Sequence, residues 1–456
     1  MTAGILMVSR ALAVRFKDLN RWSVGSFVQL EWRWPAHVIK PLSTALTRKT
    51  ISVDRATARP DGLRLVTLHF DGEMEPRGPC AGNAFKGRLF HADPGDVIYS
   101  KIDVRNGAIG VVPKALGRVC VSSEYPVYTV DPKVADAGFI KLLFRTAAFR
   151  RRINGLISGA SGRKRVQPAS LEALQVPLPP LAVQHKIVAG WEASRKATAA
   201  TAAKIERLEK EIEARFLSDL GLKALAHVKM PKAFSVSWSR VHRWGVNMAW
   251  RAQQALHKAK YPMATIADVS KHGTGGTPPR KRSDFFGGGI PWVKTTEVRG
   301  GIITKTEETL SLAGLRNSNA RLYPAGSLVI AMYGQGATRG RSAKLGIEAA
   351  TNQACLVLHD FDGRFEPDFV WFYLMAEYSR LRGLGSGNNQ PNLSAELVKG
   401  YPIPAPPLFT QHQIISRVVK RRAEIAQLKA DAAAGTEAAS AEVEAMILGT
   451  KRVGMP

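Results

Sequence analysis

Groups able to grip or read a polyanion recur at a few places in this chain. Arg163-Lys164-Arg165 follows Ser158-Gly159-Ala160-Ser161-Gly162, and Arg280-Lys281-Arg282 follows Gly275-Gly276-Thr277. Glycine lets a backbone approach a sugar-phosphate chain closely while flanking cations neutralise it, so these segments, Thr277 included, suit the positioning of DNA. Reading a sequence needs forked donors or amides matched to base edges in the major groove, Arg to guanine and Asn or Gln to adenine. Tyr333, Gln335, Arg339 and Arg341 lie in a glycine-rich loop after a strand-like run, and Lys101, Arg105 and Asn106 stand at the corresponding place in the first half. Asn388-Asn389-Gln390 holds the place in the second half that Ser161 to Arg165 holds in the first. Singly, each is explained as well by a capped turn or a solvated basic loop as by a DNA contact. Their clustering is what points to nucleic acid.

The composition agrees. A chain of 456 residues is too long for one ordinary domain, so at least two folded units are expected. The formal net charge of +28 calls for a polyanionic partner, whereas 45% hydrophobic and 22% charged residues exclude a disordered basic tail. Cys80, Cys120 and Cys355 are far apart with no CxxC pair, which supports neither a disulfide framework nor a thiolate zinc site and fits a reducing interior. The apolar run Ile5 to Val8 has no basic residue ahead of it and no stretch of eighteen apolar residues occurs, so neither a signal peptide nor a membrane span is expected. A cytoplasmic protein fits best.

Catalytic patterns are missing. Asn389-Gln390-Pro391 does not make the Asn/Asp-Pro-Pro-aromatic site of adenine methylation, and the string from Gly336 to Ser342 is one residue short of a phosphate loop and has Arg where Lys is required. No HExxH, GxSxG or convincing nuclease carboxylate cluster occurs. No catalytic residue and no metal site are therefore expected on this chain.

The elements that must hold these groups are organised by a repeat. Pro179, Pro180, Leu181, Gln184, His185 and Ile187 recur 227 positions later as Pro406, Pro407, Leu408, Gln411, His412 and Ile414. Weaker pairs keep the same order upstream, such as Arg21-Trp22-Ser23-Val24 with Arg243-Trp244-Gly245-Val246. Each proline turn leads into a helical pattern. Seam positions of the first helix fall at Ile187, Trp191, Ser194, Thr198, Thr201, Ile205, Leu208 and Ile212; those of the second fall at Ile414, Val418, Arg421, Ile425, Leu428, Ala432, Gly435 and Ala439. A helix from Gln184 to Leu220 would run about 55 Å, longer than a compact domain needs, and mixed seams favour the two helices packing on each other, antiparallel. Between them, residues 63–130 and 290–357 read as short strands, with one helix per half predicted near Phe139 to Ile153 and Phe369 to Leu381.

These residues resemble the specificity subunit of Type I restriction-modification systems. The duplicated Pro-Pro-Leu and Gln are similar to that family's repeated conserved regions. Gly275-Gly276-Thr277-Pro278-Pro279-Arg280, Ile290-Pro291-Trp292-Val293 and Thr351-Asn352-Gln353-Ala354 look like its signature in one target-recognition domain. Residues 95–100 and 122–128 look like the other common variant. The resemblance covers nearly the whole chain. It departs at Ala405, where the first repeat has Leu178, at Gly435 in the second seam, and in the first domain, which lacks the Gly-Gly-Thr-Pro opening. The last departure implies that the two domains read different sequences.

The resemblance implies an α+β chain: two pseudo-twofold-related target-recognition domains of mixed short strands and helices, separated by two long helices forming an antiparallel coiled coil. The expected order is a recognition domain over 1–177, a spacer helix over 178–221, a second recognition domain over 222–404 and a second spacer helix over 405–456. The chain would be a non-catalytic subunit recognising a bipartite asymmetric target on double-stranded DNA, with half-site readers about 34 Å apart by analogy with dimeric readers. It would direct adenine methylation and restriction by partners. Two copies of a methylation subunit carrying S-adenosylmethionine would dock through Pro180, Leu181, Gln184, His185, Pro407, Leu408, Gln411 and His412. A restriction motor-nuclease subunit using ATP and magnesium can join. The alternatives are the specificity subunit of another methylation-dependent defence complex, a fused enzyme with unrecognised motifs, and a non-specific architectural DNA binder. If the first helix acts as a ruler, inserting four residues near Ala199 changes the preferred number of unread base pairs and leaves both half-sites intact. Binding selection on random DNA measures this, and an unchanged spacing contradicts the ruler.

Overall fold

Runs such as Val97-Ile98-Tyr99 and Leu328-Val329-Ile330-Ala331 are too short for helices and apolar at every position, which is the pattern of a strand covered on both faces. In the computed structural model both are buried interior strands of sheets. The structure describes residues 32–54, 63–77, 87–156, 165–222, 259–334, 337–384 and 392–453. The chain divides by packing into two units, residues 1–201 with 431–456, and residues 202–430. The division falls inside both long helices, so each helix contributes to both cores.

In the first unit the strands are β1 (Ile39–Pro41), β2 (Leu46–Lys49), β3 (Val66–Leu68), β4 (Met74–Pro76), β5 (Leu89–Ala92), β6 (Val97–Tyr99), β7 (Ile109–Val111), β8 (Val119–Ser122), β9 (Val127–Val130) and β10 (Gln175–Pro177). An antiparallel sheet of order β2-β9-β6-β7 is flanked by the pairs β3-β4, β5-β8 and β1-β10. Helices α1 (Ala137–Arg145), α2 (Ala147–Gly155) and α3 (Pro168–Glu172) precede the long α4 (Leu181–Asp219). The spacing near Phe139 predicts one helix, and the structure has two. Thr146 turns extended at ψ 143°; its hydroxyl donates to Leu143 O (2.8 Å) and accepts from Phe149 N (3.2 Å), ending one helix while capping the next. Phe139, Ile140, Leu143, Phe144 and Phe149 form a core with Tyr99 and Tyr128, which also takes in Ile187, Val443 and Ile447 from the long helices.

The second unit contains β11 (Met263–Thr265), β12 (Ser270–Thr274), β13 (Phe286–Val293), β14 (Ile302–Ile303), β15 (Glu308–Leu310), β16 (Leu322–Tyr323), β17 (Leu328–Ala331), β18 (Ser342–Leu345), β19 (Ala349–Thr351), β20 (Cys355–Phe361) and β21 (Pro402–Pro404). They form sheets of order β12-β20-β17-β18-β14 and β15-β13-β19-β16, with β11-β21 repeating the arrangement of β1-β10. Its helices are α5 (Ile266–Val269), α6 (Leu312–Arg316), α7 (Pro367–Ala376), α8 (Tyr378–Leu384), α9 (Ala395–Lys399) and α10 (Leu408–Leu448). Here too the single predicted helix is two. The break is at Glu377, whose buried carboxylate accepts from Arg380 Nη1 (2.5 Å) and from the Tyr401 hydroxyl.

Along α4 the eight predicted seam residues are buried or half-buried and most of the intervening ones are exposed. On α10 six of the eight seam positions are covered, but Arg421 and Gly435 are exposed. Arg421 turns out to pair with Glu424 (2.8 Å), and Gly435 has no side chain to insert. The helices run antiparallel, since partners climb one helix as they descend the other. In the second unit Asp219 meets Arg417 (2.5 Å), Glu209 meets Lys429 (2.9 Å), and Ile205 and Leu208 pack with Ile425. In the first unit Thr198 meets Thr436 (3.3 Å). Both helices end in a left-handed glycine, Gly221 (φ 72°) and Gly449 (φ 78°), with the Leu222 and Thr450 N–H groups reaching back to Leu217 O and Ala445 O.

The repeated glutamine joins each helix to its recognition domain. Gln184 is fully buried: its Oε1 accepts from the Asp136 N–H (2.9 Å), and its Nε2 donates to Val134 O (2.9 Å) and Pro179 O (2.7 Å). Gln411, equally buried, accepts from the Glu366 N–H (2.9 Å) and donates to Arg364 O (2.8 Å) and Pro406 O (2.9 Å). Asp136 and Glu366 are the N-cap residues of α1 and α7. Gln184 and Gln411 are therefore internal joints and not partner-binding residues, because no partner can reach a side chain with no exposed surface. Gln411→Leu keeps the volume but strands one N–H and two carbonyls. At about 1–3 kcal/mol per stranded group, the expected destabilisation is at least about 3 kcal/mol, read as a lowered urea midpoint. A loss below about 1 kcal/mol contradicts the joint.

Candidate nucleic-acid interface

In the second unit the three glycine- and tryptophan-containing strings converge. A Cβ on Gly275 would stand 1.7 Å from Thr351 O, and one on Gly276 2.6 Å from Ala320 N, so only glycine fits there. The Gly276 N–H donates to Thr351 O (2.9 Å), and Trp292 Nε1 donates to Gly276 O (3.1 Å). Trp292 and Val293 pair in parallel with Ala350 and Thr351, and the Asn352 N–H donates to Val293 O (3.0 Å). The Thr277 hydroxyl donates to Gln353 Oε1. Trp292 is buried at the centre.

That packing revises the basic triplet. Arg280 lies 2.5 Å from Glu308 and over the rings of Phe286 (4.8 Å) and Trp292 (5.0 Å). Bonding to Arg280, and next to Lys294, holds the Glu308 carboxyl below its usual range. Arg282 makes a two-pronged pair with Asp284 (2.8 and 2.7 Å) over Phe285 (4.4 Å). Arg280 is thus a structural part of the sheet, and Arg282 reaches phosphate only by releasing an exposed partner, a small cost. Lys281 is exposed and has no ion pair among the described residues.

The loops after the buried strands β6 and β17 are the other candidates. In the first unit, Lys101 Nζ donates to Ser123 O (2.8 Å), and Arg165 pairs with Glu124 (3.2 Å), so both tie the loop to its neighbour. Arg105 and Asn106 remain exposed. Asn106 donates to Asp103 (3.3 Å), whereas Arg105 has no ion pair among the described residues. In the second unit Tyr333 is 41% exposed, while Arg339 and Arg341 are half-buried without a carboxylate partner among the described residues. Arg339 Nε is enclosed, with no hydrogen-bond partner among the described residues. Arg163, Lys164, Gln335, Asn388, Asn389 and Gln390 lie outside the described residues, as do the Arg21 and Arg243 strings.

Three side chains that sequence reasoning missed touch these loops. Arg145, at the end of α1, donates to Phe70 O (3.2 Å), Gly107 O (3.0 Å) and Ile109 O. Burial, and then the charge of Arg150, brings its pKa down to about 10. In the second unit the Tyr378 hydroxyl donates to Ala337 O (2.7 Å) and accepts from Arg382 Nη1 (2.9 Å). The only signal was an arginine at the close of each aromatic helical run, and such residues are common on helix surfaces.

Residues 90–210 and 259–429 match the family of Type I restriction modification DNA specificity domains, one match in each half. The chain belongs to that family. A chain from a structure concerned with complex assembly and conformational transition of the type I R-M system aligns over 90% of this chain and 96% of its own length. Its identity is 15% and its TM-score 0.59, a likeness of fold. The HsdS subunit from Thermoanaerobacter tengcongensis also aligns (16% identity, 91% and 97% coverage, TM-score 0.44), as does the Type-I restriction-modification S subunit from M. genitalium (12%, 91% and 98%, 0.42).

As a Type I specificity subunit, the chain supplies DNA recognition. Among the described residues no cluster of His, Cys, Asp and Glu could hold a metal ion, and no helix is long and apolar enough to cross a membrane. At the helix starts, Pro180, His185, Pro407, Leu408 and His412 are exposed and Leu181 half-exposed. His185 stands 3.7 Å from Asp136, and His412 2.7 Å from Glu366.

The revised triplet separates two substitutions. Lys281→Ala is expected to leave the thermal midpoint unchanged, lower affinity for all duplexes alike and reduce the salt slope by about one. Arg280→Ala is expected to lower the midpoint through lost stacking and ion pairing. Equal midpoints for the two variants would contradict the assignment.

Proposed function

We propose that this chain recognises a bipartite, asymmetric sequence on double-stranded DNA and directs adenine-N6 methylation there by a partner subunit, with restriction where a motor-nuclease subunit joins. One observation carries the asymmetry: two domains of one specificity family present different groups at equivalent loops. The first offers Arg105 and Asn106, the second Tyr333, Arg339 and Arg341. Unlike donors select unlike base edges. The unpaired cations among them supply salt-dependent affinity for phosphate.

On this reading two copies of a methylation subunit dock at the exposed helix starts around Pro180, Leu181 and His185, and around Pro407, Leu408 and His412. S-adenosylmethionine is held by that partner, ATP and magnesium by the restriction subunit. The target adenine is extruded from the duplex into the partner's site. The assembly works in the cytoplasm, on the nucleoid.

The purified chain with its methylation subunit and S-adenosylmethionine is expected to methylate adenines within a two-part sequence whose halves differ. The chain alone is expected to transfer no methyl group. Methyl transfer without a partner, two identical halves, or equal affinity for unrelated duplexes at one salt concentration would each overturn the proposal.

A further inference from the structure

In both units the loop assigned to DNA rises from a buried strand and is closed at its base by main-chain bonds. Ser100 N–H donates to Ala108 O (2.9 Å) in the first, and Gly340 N–H donates to Ala331 O (2.8 Å) in the second. These bonds fix where each loop begins and ends. The first loop is braced further by its own turn, in which Val104 N–H donates to Ser100 O, and Asn106 and Ala108 N–H donate to Asp103 O. In both units a second restraint reaches up from the junction of two consecutive helices. At the junction of α1 and α2 the Arg145 guanidinium holds Gly107 O and Ile109 O on one side and Phe70 O on the other. No carboxylate makes an ion pair with it among the described residues, although Asp71 and Glu73 act on it at longer range. A Cβ on Gly107 would lie 2.0 Å from Phe70 O, so the two segments held by Arg145 are in contact.

At the junction of α7 and α8 a different pair does the equivalent. The Tyr378 hydroxyl bonds to the exposed Ala337 carbonyl, and Arg382 orients that hydroxyl. Gly340, at φ 83°, brings the loop's return so close that a Cβ there would be 3.2 Å from the Arg382 nitrogen. Arg339 and Arg341 flank this contact. Each restraint comes from a helix junction, but Arg145 meets its loop at the return into β7 and Tyr378 meets its loop partway along.

We propose that Arg145 in the first unit, and Tyr378 with Arg382 in the second, are positioning residues that set the recognition loops and thereby the base preference of one half-site each. The inference rests on the reading that these loops meet DNA. Tyr378 bonds to the outer loop carbonyl of Ala337, and Arg145 to Gly107 O and Ile109 O, where the first loop returns into β7. Removing the Tyr378 hydroxyl leaves the hydrophobic core and the loop base intact and frees the exposed Ala337 carbonyl, which water can satisfy; at Arg145 the conservative change to Lys keeps the charge beside the carbonyls of the first loop's return. The consequence falls on the direction in which Arg105 and Asn106, or Arg339 and Arg341, present their donors. Base discrimination is sensitive to such direction because bidentate contacts require it.

The test uses the full chain in its methylation complex and a duplex randomised across both half-sites. Tyr378→Phe is expected to reduce discrimination about fivefold at one or two positions of one half-site, the size of one lost hydrogen bond. The other half-site, the affinity for unrelated DNA and the urea midpoint should stay unchanged. Arg145→Lys, which keeps the charge but cannot reach three carbonyls, is expected to do the same at the opposite half-site. Should Arg145→Lys fail to fold, Tyr378→Phe carries the test alone. Loss at both half-sites together with a lowered midpoint shows a structural role and overturns the proposal. Unchanged preference in Tyr378→Phe, while Arg339→Ala and Arg341→Ala do alter a half-site, overturns the positioning role alone. If those arginine variants also leave both half-sites unchanged, the assignment of the loop to DNA fails first.

Discussion

Everything this fold does depends on a buried amide. A long helix can orient a recognition domain only if the two are joined without play, and a hydrophobic contact alone is tolerant of rotation. Gln184 and Gln411 remove that tolerance by bonding in three directions at once, to the N-cap of the first domain helix, to the segment before it and to the proline turn that starts the rod. Burial makes each bond costly to break, since no water replaces the lost partner. The amide is suited to this because it offers both donor and acceptor without charge. A carboxylate would face two carbonyls with no donor to give them.

Much of this was legible in the sequence because repetition reports constraint. The offset of 227 between Pro179-Pro180-Leu181 and Pro406-Pro407-Leu408 marked the joints and the rods, and the 3.5-residue pattern from Ile187 to Ile212 marked the covered face of α4. The pattern could not say what the repeated glutamine contacts. An exposed glutamine and a buried one look alike in a sequence, and the partners of Gln184 are main-chain groups that leave no trace in residue type. Arg421 fell on the seam by arithmetic and left it in space, because an arginine gains more from Glu424 and water than from an apolar groove.

Two cations of the basic triplet are already paired, for a related reason. Arg280-Lys281-Arg282 reads as three cations, but charge in a sequence is not charge at a surface. Glu308 and Asp284 stand 28 and 2 residues from their partners, and only the strand pairing of β13 with β15 brings Glu308 beside Arg280. The glycines misled in the same way. Gly275 and Gly276 permit a close approach, and the group that approaches is the β19 backbone. The three strings that resembled a recognition signature therefore describe how the domain is closed around Trp292.

On the proposed reading, one fold carries two specificities because its joints and its loops are held differently. The joints, the closing pairs β1-β10 and β11-β21 and the helix ends at Gly221 and Gly449 are each held by several buried or main-chain bonds, so change there is destabilising. The loops after β6 and β17 are bonded at their bases and held by Lys101, Arg165 and Arg145 in the first unit and by Tyr378 in the second. Exposed side chains such as Arg105, with no ion pair among the described residues, can therefore be exchanged at little cost to stability. Divergence after a duplication is then channelled to the positions where a new donor changes the base selected and little else. The same economy accounts for the unlike anchors: Arg145 and Tyr378 need only hold a carbonyl, and any side chain with a donor at the helix junction can do that.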